Sequence, residues 1–367
     1  PLSTGELLVQ ADLASSFELL AAEGPAAFSE GAIGQAIDGA MREAEGFLRL
    51  TDLRENEAEW WEPIEIDYRG NRVVTASPPA NSFPALVRLG MMSRFDPQAL
   101  GHNTVDYLHT FAEVTKHAFW TRLAYAGDPD IAPPPLDRLL SESYWAEQAA
   151  KIDPGTASVF EPPMPVAHTG MNTTHYVVAD RWGNVVSATQ TLGNLFGARI
   201  MPEGTGIWLN NSLAYSTFEP EGNPMDAFPG RRKLSGDVPL FVVDEAGRPL
   251  VALGTPGGHT IGQTVPQIVM NHLDFGMDIQ AAIAAPRISF VEPNALVLEE
   301  AFGTEMAEAL EARGHRIGRS RALGNAHGLT LEWGGGGRPT TFTGGSDPRG
   351  VGRARGLVQA AAGGGSP

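Results

Sequence analysis

The sequence contains no cysteine. Disulfides, a thiolate nucleophile and cysteine-ligated zinc are therefore ruled out, while the compartment stays open. Also missing is any run of about 18 apolar residues, so no transmembrane helix is expected. Cations are scarce: 26 Lys and Arg stand against 43 Asp and Glu, for a formal net charge of −17. A polyanion is bound by clustered Lys and Arg, so neither nucleic acid nor an anionic membrane is an expected partner. Nine histidines are present, yet there is no HExxH and no close pair at ligand spacing. No metal and no other cofactor is expected. GxSxG, the elbow of serine hydrolases, is absent. The glycine-rich "GTPGGHT" lacks the Lys that would make it a phosphate loop.

What is present is ample core material: 367 residues, 42% of them hydrophobic, enough for two domains or one large one. Residues 1–150 read mainly as helix. Leu13, Phe17, Leu20 and Ala21 fall on one stripe ahead of a capping Gly24, and Ile33, Ile37 and Met41 on another. A hairpin strand in "YRGNRVVTASPP" precedes a helix, and "TVDYLHTFAEVTKHAFWTRLAYAGDP" predicts a long amphipathic helix. Residues 151–172 are Pro-rich and loop-like. From residue 173 onward short strands dominate, with hairpins around Asp180–Gly183 and Glu245–Gly247 and helices between. The mixture predicts an α+β fold of helices layered on sheets. The expected division is 1–172, mainly helical with a tether at its end, and 173–367.

Two stretches carry possible chemistry. "GMNTTHYVVAD" runs a Gly- and Asn-rich loop straight into a strand beginning Thr173-Thr174-His175. Asn172-Thr173-Thr174 is formally a glycosylation tripeptide, as is Asn210-Asn211-Ser212. The same residues can also be an ordinary start to a strand, or a peptide bond made to break. If the bond before Thr173 is cut, the freed α-amine is a base on the same residue as the hydroxyl it activates. Such an amine titrates near ~7.7–8, which suits it to that task. The second stretch is "GTPGGHT", between the apolar strand "PLVALG" and a helix starting near Thr260. Consecutive backbone N–H groups there would suit an anion pocket or an oxyanion hole.

"TTHYVVADRWGNVVSATQTL" resembles the start of the small subunit of γ-glutamyltransferases, which are N-terminal-nucleophile hydrolases. "FGARI", "GTGIWLNN", "RRKLS", "TPGGHTIGQTVPQIVMNHLDFGMDIQAAIAAPR" and "GGSDPRGVG" follow in the family's order. Upstream, "LVQADLASSFELLAAEGPAAFSEG" and "DYRGNRVVTASPP" resemble the back half of the large subunit. The resemblance implies a four-layer αββα sandwich made as a precursor that cuts its own Asn172–Thr173 bond. It implies Thr173 as nucleophile, Thr191 as the supporting hydroxyl, and Gly257 and Gly258 as oxyanion donors. It further implies a small-molecule amide substrate and a heterodimer of the two cleavage products.

The departures from the family pattern fall in substrate recognition. Gly193 stands where an Asn is usual. Asn211 is kept, but Ser212 replaces an amide and Tyr215 an acidic residue. Ser235-Gly236 retains one hydroxyl of a serine pair. A lost hydrogen bond to a charged group is worth roughly 1.5–3 kcal/mol, so several together would erode γ-glutamyl recognition. The expected reaction is cleavage of a γ-glutamyl-type or related acyl amide, with Tyr215 resembling members that act on other acyl amides. The alternatives are a glutathione hydrolase with rebuilt recognition residues, or an unprocessed, inactive relative serving as a binding protein. The family's opening portion, with core strands and a carboxylate-binding Arg, has no counterpart, and the natural protein is expected to extend before Pro1.

Overall fold

The structure, a computed structural model, describes residues 2–163, 173–217, 221–291 and 294–357. They form two compact units, Pro1–Trp61 with Thr191–Ser212, and Glu62–Gln190 with Leu213–Pro367. The strands in chain order are β1 (Ile64–Tyr68), β2 (Asn71–Thr75), β3 (Thr173–Ala179), β4 (Val185–Thr191), β5 (Leu240–Val243) and β6 (Pro249–Gly254). They continue with β7 (Ile288–Val291), β8 (Ala295–Glu299), β9 (Arg316–Ser320), β10 (His327–Trp333) and β11 (Pro339–Ser346).

In the larger unit, six strands pair in the order β1-β2-β5-β6-β10-β11, each pairing antiparallel. Helix Phe83–Met92 packs on β1 and on helices Val105–Tyr125 and Ile261–Leu273. Its ten residues are all buried, Arg88 included. Proline in its first turn costs nothing, because the amides there have no intrahelical partner. The expected amphipathic helix over 105–125 is present, capped by Thr104, but it is buried on more than one face. Glu113 and Lys116 tolerate this by pairing at 2.6 Å, because a buried charge without a partner is prohibitive.

The hairpin β3–β4 is a separate two-stranded sheet, with β3 lying against β6 and β10. The buried His175 ring occupies the space a Cβ on Gly254 would need, so only glycine fits at that point of β6. Ser187 Oγ reaches the Leu253 carbonyl at 3.3 Å. The alternate residues Tyr176, Val178 and Val186 are exposed, as period-two pleating demands. A third sheet, β7-β8-β9, pairs β8 and β9 in parallel across helix Gly303–Ala312.

The smaller unit has helices Ala11–Glu23 and Ala32–Glu43 around a core of Ala27, Ile33 and Ile37, joined by Ile207 and Leu209. The stripe expected on the first helix is rotated. Phe17 is 63% exposed, and Ser16 is buried instead. The cause is a hydrogen bond from Ser16 Oγ to the Thr205 carbonyl, 2.7 Å.

Candidate active site

β6 ends at Gly254, and the chain turns through Thr255-Pro256-Gly257-Gly258 into a short 3-10 turn and helix Ile261–Leu273. Gly257 has φ +137° and Gly258 φ +57°. Both values lie where a side chain is strained, and a Cβ on Gly257 would collide with Thr260 Oγ1. The Gly257 carbonyl is held by Thr260 N at 3.1 Å and Thr260 Oγ1 at 3.0 Å. A turn of this kind, at the start of a helix, exposes amide donors to an anion.

The floor of the turn is the segment Leu323–Ala326. Thr255 Oγ1 accepts from Asn325 N at 3.0 Å. Beneath lies a buried ionic network. Arg287 donates to Asp347 at 2.6 Å and twice to the Leu323 carbonyl, while Asp347 also accepts from Ala326 N at 2.8 Å. Arg349 bridges Asp347 and Glu299, and Glu299 accepts from Leu323 N at 2.9 Å. Burial raises the Asp347 pKa, but Arg287 and the hydrogen bonds outweigh it and hold it below the ordinary aspartate value.

Gly258 also lines an open cleft. Three further residues expected at the site, Tyr215, Ser235 and Gly236, line the same cleft. Ser235 is fixed by its backbone: its carbonyl accepts from Asn81 N at 2.6 Å and its N–H donates to the Pro79 carbonyl at 3.1 Å. Its hydroxyl donates to the Asp237 carboxylate and accepts from Asp237 N. Tyr215 is buried, with the ammonium of Lys233 5.1 Å from its ring centroid. Arg88 and Arg122 line the cleft too, and the Arg88 guanidinium donates to the carbonyls of Pro84 and Gly262.

Sequence reasoning missed Arg88 and Arg122. A usable signal existed for Arg88, since a single arginine inside the apolar helix "FPALVRLGMM" is costly unless it has work to do.

A second group of expected residues, Thr191, Gly193, Asn211 and Ser212, lies in the smaller unit, whereas Thr173 lies in the larger one. Thr191 ends β4, and its Oγ1 accepts from Gly193 N at 2.9 Å. Asn211 N donates to the Leu192 carbonyl at 3.0 Å, and its Oδ1 accepts from Asn194 N at 2.8 Å. Ser212 is buried and donates its N–H to Asn210 Oδ1 at 2.9 Å. Thr173 is the first residue of β3 and is partly buried. Asn172 lies outside the described residues. His175 is buried, with Nδ1 2.8 Å from Thr189 Oγ1. Burial, assisted by His327, pushes its pKa down to about 4, so the ring is neutral near pH 7.

One cluster has the composition of a metal centre. His109, Glu113 and His315 are buried, with donor atoms within 4.8 Å of one another. Those atoms are already committed. His109 Nε2 lies 2.8 Å from the Asp153 carbonyl and so carries the proton, leaving Nδ1 to accept from His315 Nε2 at 2.8 Å. Glu113 is held by Lys116 and by the N–H and hydroxyl of Ser158. A cation would meet the Lys116 ammonium, and these bonds fasten the long helix to its neighbours.

A sequence profile described as Gamma-glutamyltranspeptidase matches residues 1–357, and the chain belongs to that family. The acylase ACY 1 proenzyme of Pseudomonas sp. (strain V22) is 36% identical over 358 residues, 94% of this chain and 63% of that protein. The glutathione hydrolase proenzyme of Escherichia coli (strain K12) is 33% identical over 365 residues, 96% of this chain and 62% of that protein. Among solved structures, cephalosporin acylase from Bacillus halodurans matches with a TM-score of 0.85 at 29% identity, covering 95% of this chain and 62% of that one. The α+β layering is therefore that of N-terminal-nucleophile hydrolases. The chain spans somewhat under two thirds of the length of these relatives.

Proposed function

We propose that the chain is the catalytic part of a self-processing amidohydrolase whose nucleophile is Thr173. In maturation, the Thr173 hydroxyl adds to the Asn172 carbonyl and the acyl group moves from nitrogen to oxygen. Water then cleaves the resulting ester, leaving a carboxylate on Asn172 and a free α-amine on Thr173. That amine takes the hydroxyl proton as Thr173 attacks an amide substrate, and the proton passes to the leaving amine as the C–N bond breaks. The N–H groups of Gly257 and Gly258 receive the developing oxyanion, and Thr191 supports the nucleophile. Water or an acceptor amine releases the acyl group. The two products, residues 1–172 and 173–367, stay together as a heterodimer.

The observation that carries this reading is the Gly257–Gly258 turn, with its two positive φ angles, opening on a cleft shared with Tyr215, Ser235 and Gly236. The acyl group is an amide-linked acid other than γ-glutamyl. Ser235 has committed its hydroxyl to Asp237, Gly236 offers no side chain, and the phenol of Tyr215 cannot balance an ammonium as a carboxylate would. The names of the relatives, an acylase and a glutathione hydrolase, bracket this choice.

The test is the intact mass of the full precursor after expression. Two pieces divided at Asn172–Thr173 are expected. Thr173→Ala should remain uncut and inactive on every anilide tried, and turnover by that variant would place the nucleophile elsewhere.

A further inference from the structure

We propose that His175 is a positioning residue of the site: its ring, socketed at Gly254, fixes where Thr173 stands relative to the Gly257–Gly258 turn. The inference rests on the amidohydrolase reading above and concerns how the nucleophile is held.

A two-stranded hairpin is marginal by itself, so β3–β4 takes its place from the larger sheet that β3 lies against. It is fastened at both ends. At one, the His175 ring, 2% exposed, fills the notch left by the missing side chain of Gly254, the last residue of β6. At the other, Gly183 in the hairpin turn packs on Trp333 and Pro339, where β10 ends and β11 begins. His327, at the start of β10, pairs with Gly254. The hairpin therefore runs the length of β10, with Thr173 at the Gly254 end. β3 begins at the edge of the sheet from which β6 continues into Thr255-Pro256-Gly257.

Within β3, His175 is the one residue that is fully buried. Thr173 precedes it on the same strand by about 7 Å. The ring is fixed from the second strand as well, with Nδ1 2.8 Å from Thr189 Oγ1. Ser187, also on β4, donates to the Leu253 carbonyl at 3.3 Å, so both strands are tied to the same end of β6. An imidazole is short and flat, and in a fitted socket it leaves its strand little play. That matters because a displacement of about 1 Å at a reacting atom can cost about 10²-fold in rate.

The test moves the socket and leaves the nucleophile alone. Gly254→Ala puts a methyl where the ring lies. It should slow self-cleavage of the full precursor by about 10²-fold, and lower kcat of the mature protein on a good anilide alike, with little change in KM. The double variant His175→Ala/Gly254→Ala removes the collision and should recover at least about fivefold of that loss. Thr189→Val keeps the shape but removes the ring's partner. It should slow cleavage by about fivefold, as loss of one hydrogen bond predicts, and Thr189→Ser should restore the rate. Gly183→Ala is the control at the far end, where φ is +91°. It should lower the melting temperature yet leave kcat within about twofold, because the strain falls far from Thr173.

Unchanged cleavage and kcat in a folded Gly254→Ala overturn the proposal. So does a Gly183→Ala that loses as much kcat, since His175 would then serve stability alone. Should Gly254→Ala fail to fold, Thr189→Val decides, and a rate equal to that of the unaltered protein overturns the proposal. Turnover by Thr173→Ala overturns the amidohydrolase reading alone. Amide hydrogen exchange in the uncut Thr173→Ala precursor then reads the socket without catalysis. Adding Gly254→Ala should speed exchange at the start of β3 by at least about tenfold, and unchanged exchange there means that His175 does not hold the strand.

Discussion

Two walls of the same cleft are built on opposite principles. The Gly257–Gly258 wall is backbone, a strand end and a helix start joined by a turn that only glycines allow. A buried network of Arg287, Asp347, Arg349 and Glu299 holds its floor. The wall of Tyr215, Leu234, Ser235 and Gly236 is built from a short turn and a loop, pinned at a few backbone points such as Asn81 to Ser235. The first arrangement cannot change without losing its shape. The second can exchange residues and keep its path, and it holds Tyr215, Ser235 and Gly236, three of the positions where a departure from the family pattern is expected from the sequence. On the function proposed above, the chemistry belongs to the rigid wall and the selectivity to the replaceable one.

That contrast can be broken in several ways. Asp347→Asn strips the buried Arg287 of its counter-charge, and losing one partner of such a pair costs about 3–5 kcal/mol. A large fall in melting temperature is expected, and a small one would mean that the network does not hold the turn. The sign with pH follows from the lowered Asp347 pKa. Its contribution is complete above the unfolded value near ~3.9 and is lost as pH falls through the lower folded value.

If Gly257 is an oxyanion donor, as proposed above, Gly257→Ala should lower kcat by about 10²–10³-fold with little change in KM. Steady-state kinetics on any good anilide reads this, and equal changes in both constants would argue for general unfolding. His175, neutral and buried against β6, should make the protein less stable as pH drops from ~6.5 towards about 4. In that window the unfolded chain takes up a proton that the folded ring refuses. A His175→Gln variant should flatten this slope in denaturant titrations at several pH values.

The smallest effect is expected for Ser235→Ala. Removing a hydroxyl already occupied by Asp237 should change kcat/KM by less than about tenfold, in keeping with ~1 kcal/mol for one hydrogen bond. A loss as large as that of Gly257→Ala would erase the difference between the walls.

The sequence was legible where local rules act alone. The β3–β4 and β5–β6 hairpins, the capping Gly24 and the junction of strand and helix at Gly257 all follow from periodicity and turn chemistry. It was illegible where distant partners decide. Ser16 displaces Phe17 from the core because Thr205 is waiting for it, and nothing near residue 16 signals this. The helix over 105–125 hides charges because Ser158 and His315 meet it from elsewhere in the chain.

The buried network also imposes a schedule. Thr173 opens β3, but the floor of the Gly257 turn is tied down by Asp347 and Arg349, which follow much later in the chain. Closing so long a loop is among the slow steps of folding. On the function proposed above, Thr173 would meet a finished Gly257 turn only after Asp347 and Arg349 have been made and docked. The timing of the proposed cut would then be set by the arrival of that segment, independent of any inhibitor.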